Sequence, residues 1–143
     1  MQKYLNKISG PLLDRIDLHV EVTPVPFSEL SNMNSKGESS EDIRERVIKA
    51  REIQTERYKN NPGIYANAQM SSKQLREICV INQAGEALLK RAMERLNLSA
   101  RAYDRILKVS RTIADLAYSA DIKAEHLAEA IQYRSLDREG WAG

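Results

Sequence analysis

Leu18, Val20 and Val22 alternate with His19, Glu21 and Thr23, and a period of two marks a half-buried β-strand. Pro24 and Pro26 end the pattern, because proline cannot donate to a ladder. This strand constrains the chain most, because no second strand of similar quality follows it. A lone strand leaves its N–H and C=O groups unpaired, and even a two-stranded hairpin is marginal in water. The expectation is that its sheet lies outside these 143 residues, and that the chain starts inside a domain.

Around the strand, everything reads as helix or loop. Gly10-Pro11 breaks the chain, and Pro11 suits the start of a short helix followed by Leu12, Leu13, Asp14 and Arg15. Residues 27–40 are rich in Ser, Asn and Gly and predict a flexible loop. Ser39 with Asp42 resembles a capping box and opens a helix to about Lys59, with Ile43, Val47, Ala50 and Ile53 as its inner stripe. Asn61-Pro62-Gly63 stops it, and residues 64–70 are irregular. Ser71 with Gln74 is a better capping box, and Asn82 and Ser99 can cap the next two helices. Leu88, Leu89, Ala92, Met93 and Leu96 form the apolar side of one. Ala102, Ile106, Val109, Ile113 and Leu116 form that of the other. Asp121 precedes a last helix with Leu127, Ala130 and Ile131 inward. The predicted fold class is mainly α, a bundle of about five helices, with a polar tail at 135–143.

Charge excludes little. The net charge of +2 implies neither nucleic acid nor membrane. Its distribution is more informative, with six basic and three acidic residues in 44–59 and seven and three in 86–111. The basic excess therefore lies on helices, either as solvated faces or as a binding surface. Cys79 is the only cysteine, which excludes an internal disulfide. No apolar run approaches the ~20 residues of a membrane span, and no signal peptide is visible, so a cytoplasmic location without a membrane partner is the default.

No complete catalytic constellation is present. There is no phosphate-cradling glycine loop and no nucleophile elbow. Asp14, Asp17, His19 and Glu21 offer a conceivable metal site, although a polar strand face explains them better. His126 reads as an ordinary helix residue and Cys79 as an ordinary buried one. Two arginines are more suggestive. Arg15 stands on a short helix just before the strand and can project from a domain edge, where a guanidinium fork suits phosphate. An Asp14–Arg15 surface pair is the plainer account. Arg101 stands in the first turn of a long helix, where unpaired N–H groups and the dipole favour an anion. Arg105, Lys108 and Arg111 continue along that edge, and a solvated basic stripe is the alternative.

At these residues the chain resembles the magnesium-chelatase-related AAA+ ATPases, in their ComM-like branch. The stretch from Tyr4 to Val22, through Gly10-Pro-Leu-Leu-Asp-Arg-Ile-Asp-Leu-His19, is similar to that family's arginine-finger region. Leu98 to Leu116 is similar to its sensor-2 helix, and His126 to Arg134 to its final lid helix. Asn67-Ala-Gln-Met70 also matches. The resemblance covers nearly all of the chain except residues 28–40, and its first two motifs together are specific.

The resemblance implies a domain plan. Residues 1–26 would be the end of an α/β ATPase core, 27–40 a loop, 41–134 the helical lid and 135–143 a tail. It implies that ATP binds between subunits of a homo-oligomeric, hexameric ring. Arg15 would be the arginine finger acting on a neighbour's nucleotide. Arg101 would be sensor 2 on its own subunit's nucleotide, and Arg105 a weaker nucleotide or interface contact. ATP and Mg2+ would belong to the full-length parent, with neither expected bound to this chain, which alone is expected to be inactive. Its partners would be its own N-terminal ATPase core, neighbouring subunits and, in a DNA-processing parent, DNA. The alternatives are a subunit of true magnesium chelatase, or a stand-alone helical DNA-binding module.

Overall fold

Helix starts in this protein are set by short polar side chains. The computed structural model describes residues 9–13, 15–20, 22–26 and 37–134. In it α1 spans Gly10–Leu13 and α2 spans Ser40–Tyr58. A 3-10 turn covers Asn67–Gln69, followed by α3 (Ser72–Ile78), α4 (Gln83–Arg95), α5 (Ala100–Leu116) and α6 (Ala124–Gln132). Ser39 accepts the Asp42 N–H at 3.1 Å. Asn82 accepts that of Gly85 at 2.9 Å, and Ser99 that of Ala102 at 3.2 Å. At α3 the box is reciprocal, because Gln74 Oε1 accepts the Ser71 N–H at 3.0 Å. Each such cap is worth about 1 kcal/mol. At α6 the side chain of His126 takes the role, its Nδ1 accepting the Lys123 N–H at 3.1 Å.

The ends of α4 and α5 close in the same way. Asn97 (φ 47°) and Tyr118 (φ 52°) adopt left-handed backbone. The Leu98 N–H then reaches Met93 O at 3.0 Å, and the Ser119 N–H reaches Ala114 O at 2.8 Å. This is the Schellman arrangement, which satisfies carbonyls a helix otherwise leaves open.

α5 is the centre of the bundle, with α2, α3, α6 and the 3-10 turn packed against it. Its buried face carries Ala102, Ile106, Leu107 and Ala114. Leu75, Cys79, Leu89, Ile122, Leu127 and Ala130 complete the core with Tyr58 and Met70. α4 lies on α6, and the approach is close at Gly85. A Cβ there would stand 2.8 Å from Leu127 Cδ1, so any larger residue would have to displace the buried Leu127 side chain. The mainly helical class is thus as expected.

Some expectations need correcting. Among the described residues no strand is formed, and residues 16–20 and 22–26 are irregular. The alternation even runs backwards. His19 is buried, whereas Leu18, Val20 and Val22 are exposed. The His19 N–H is satisfied instead by the Tyr133 carbonyl at 2.7 Å. The expected inner stripe of α2 is also wrong in its first half. Ile43 and Val47 are exposed, because no element among the described residues covers that half. The buried face is Ala50, Gln54 and Tyr58. The loop residues 27–36, the tail 135–143, and Asp14 and Glu21 lie outside the described residues.

Burial pushes the Cys79 thiol up from 9.0 to about 11. The folded chain therefore holds a proton that the unfolded chain gives up first. Its contribution to stability is complete below about pH 9 and is lost as pH rises toward about 11. In urea titrations, the stability difference between the wild type and Cys79→Ala is expected to shrink across that interval. A difference that stays constant would contradict this placement.

Candidate functional site: the arginine edge

The first turn of α5 presents Arg101 to solvent. Ser99 consumes the Ala102 N–H, and the remaining first-turn donors keep their positive end toward the same edge. Arg105, one turn on, makes an ion pair with Asp17. Lys108 Nζ donates to the Ala68 carbonyl at 3.0 Å. Of the basic edge expected along α5, these two residues are therefore already engaged. Arg15 occupies the turn after α1, its N–H bonded to Leu12 O at 3.0 Å, and it is exposed.

Arg111 departs furthest from expectation. It is 3% exposed and offers nothing to a phosphate. Its Nη1 and Nη2 donate to the carbonyls of Ala120 and Ser119 at 2.7 and 2.6 Å. Its Nε donates to Asp115 Oδ1 at 3.1 Å. Arg111 thus ties the Schellman turn of α5 to the helix itself.

Asp115 is fully buried and is the hub of a polar network that sequence reasoning missed. Arg57, from α2, meets it with a two-pronged fork at 2.7 and 2.5 Å. Asn67 Nδ2 donates to it at 2.8 Å and to Thr112 Oγ1 at 3.0 Å. Asn67 Oδ1 accepts from Tyr58 OH at 2.8 Å and from Arg57 at 3.0 Å. Its backbone N–H donates to Gln54 Oε1 at 2.9 Å. The Asp115 carboxylate holds Arg57 above its ordinary range, and burial raises Tyr58. The i,i+4 spacing of Arg111 and Asp115 was a visible signal. Arg57 and Asp115 lie 58 positions apart, and no local pattern joins them.

Of the conceivable metal ligands, Asp14 and Glu21 lie outside the described residues. Asp17 is bound to Arg105 and His19 is buried against the bundle. No group of three or more His, Cys, Asp or Glu among the described residues is placed to hold a metal ion. The helix α2, the other basic stretch, is laced with ion pairs. Arg46 pairs with Glu38, Lys49 with Glu45 and Lys59 with Glu56. Among the described residues no helix is long and apolar enough to cross a membrane.

Comparison with known proteins places this architecture. Residues 37–134 match the family model described as magnesium chelatase, subunit ChlI C-terminal. Residues 1–30 match that of magnesium chelatase, subunit ChlI. The competence protein ComM of Haemophilus influenzae is 46% identical over 138 residues, covering 96% of the chain and 26% of that relative. An uncharacterised protein, YifB, of Salmonella typhimurium is 42% identical, covering 95% of the chain and 26% of the relative. An uncharacterised protein of Mycobacterium tuberculosis is 36% identical, covering 93% of the chain and 26% of the relative. The chain thus spans about a quarter of the length of the curated relatives it matches.

Proposed function

The chain belongs to the magnesium chelatase ChlI family, and on that premise we propose that it serves as the lid-bearing part of a ring-forming AAA+ ATPase. Arg15 acts on the nucleotide of a neighbouring subunit and Arg101 on that of its own. The observation that carries this reading is the exposure of Arg101 in the first turn of α5, while Arg105, Lys108 and Arg111 beyond it are committed elsewhere. A guanidinium at a helix start is suited to polyphosphate. The acidic ligands for the accompanying Mg2+ and the phosphate-cradling loop would come from the rest of the whole protein. This chain's own share is charge placement, and alone it is not expected to hydrolyse ATP. Similarity to ComM favours a DNA-processing, cytoplasmic motor as the whole protein.

The expected result for Arg101→Ala in the whole protein is a rise in the ATP dissociation constant of about tenfold or more. This corresponds to losing one charge-assisted phosphate contact of roughly 1.5–3 kcal/mol. Titration with a fluorescent ATP analogue measures it, and unchanged affinity together with unchanged turnover removes the sensor role. The name of the family model supports a second reading, metal insertion into a porphyrin. ATPase stimulation by forked DNA favours the first, and stimulation by a porphyrin the second. A stand-alone DNA-binding module has less support, because Arg46, Lys49 and Arg57 of α2, and Lys59 just beyond it, are already paired with acidic partners.

A further inference from the structure

The residues that follow Arg15 do not leave the bundle. The Asp17 carboxylate pairs with the Arg105 guanidinium, 88 positions away. Arg134, fully buried just beyond α6, donates from Nη1 to the Ile16 carbonyl across 118 positions. The His19 N–H donates to the Tyr133 carbonyl at 2.7 Å. These contacts come from α5 and from the end of α6, and they bracket the peptide immediately after Arg15.

The placement has a mechanical consequence. Arg105 sits one turn along α5 from Arg101, roughly 6 Å by helix rise. A displacement of the first turn of α5 carries Arg105 with it, and Asp17 follows through the ion pair. Holding the Ile16 carbonyl on Arg134 leaves Arg15 its side-chain torsions and little backbone freedom. We propose that Asp17, Arg105 and Arg134 are positioning residues, a latch by which the position of α5 sets the position of Arg15. Nucleotide contact at Arg101 is thereby transmitted to the arginine that the same subunit offers its neighbour. The latch rests on the proposed roles of Arg15 and Arg101, and it assigns Arg105 to transmission rather than to nucleotide contact.

The test uses the whole protein, with kcat, KM and nucleotide affinity measured for Asp17→Asn and Arg105→Gln. Both side chains are partly exposed, so folding is retained and melting temperatures serve as the check. The expected result is a fall in kcat of about tenfold to a hundredfold, the scale of a misplacement of ~1 Å at a reacting centre, with nucleotide affinity unchanged. Exchanging the charges, Asp17→Arg with Arg105→Asp, is expected to restore most of the turnover. Wild-type kcat in the single variants overturns the latch, as does failure of the exchange to restore it. A loss of affinity with kcat intact in Arg105→Gln also overturns it, because Arg105 would then be a nucleotide contact. Arg15→Ala in the same assay separates the two levels. If that variant is inactive while the latch variants run at full speed, only the latch fails. If that variant turns over normally, the finger reading fails first. Arg134→Met, scored only if its melting temperature shows it folded, is expected to behave as Asp17→Asn does, and wild-type kcat in it removes Arg134 from the latch.

Discussion

Replacing Arg15 by alanine in the whole protein is expected to abolish cooperative ATP hydrolysis while leaving nucleotide binding largely intact. An arginine reaching in from a neighbouring subunit stabilises charge that appears only as the phosphoryl group transfers, and such a contribution is worth ~10³ or more in rate. Binding in the ground state owes it little. Arg15 is exposed, and its N–H bonds locally to the Leu12 carbonyl, so removing its side chain is not expected to unfold the lid. Arg15→Lys is expected to recover little, because an ammonium is a point charge without the planar fork. The measurement is steady-state ATPase activity alongside nucleotide titration, and normal turnover in Arg15→Ala would sink the assignment.

The second large effect is on stability and needs no nucleotide. Asp115→Ala leaves the Arg57 and Arg111 guanidiniums facing each other without the carboxylate between them. Breaking a buried ion pair in this manner costs about 3–5 kcal/mol, because the remaining charge is buried and uncompensated. For a bundle of this size the melting temperature is expected to fall by roughly 12 °C or more. Circular dichroism of the purified chain reads this directly. A melt within ~2 °C of the wild type would mean that water reaches the network. Asp115→Asn, which keeps the shape and one acceptor, is expected to lie between the two.

The helix starts were legible because a cap is a local device. Ser71, Asn82 and Ser99 satisfy N–H groups three residues away, and the apolar spacing of α4, α5 and α6 announces which face is oily. The setting of Arg101 followed from the same local logic, since a residue two places after a cap stands at a helix start wherever the helix is packed. Family resemblance rested on contiguous motifs and needed no geometry.

What the sequence could not reveal depends on partners far along the chain. The α2 stripe failed at Ile43 and Val47 because periodicity identifies an apolar face without saying whether anything covers it. The alternation at residues 17–23 suggested a strand, yet Ile16, Asp17 and His19 are bound to Arg134, Arg105 and Tyr133 instead. Arg111 read as one more member of a basic edge, and only the packing of α2 and the 3-10 turn onto α5 made it part of a buried network with Arg57, Asn67 and Asp115. Local chemistry, acting over three or four residues, decided where helices begin and which class of fold they make. Tertiary structure decided which arginines remain for phosphate, because Arg57, Arg105 and Arg134 are each engaged by a partner 58 or more positions away.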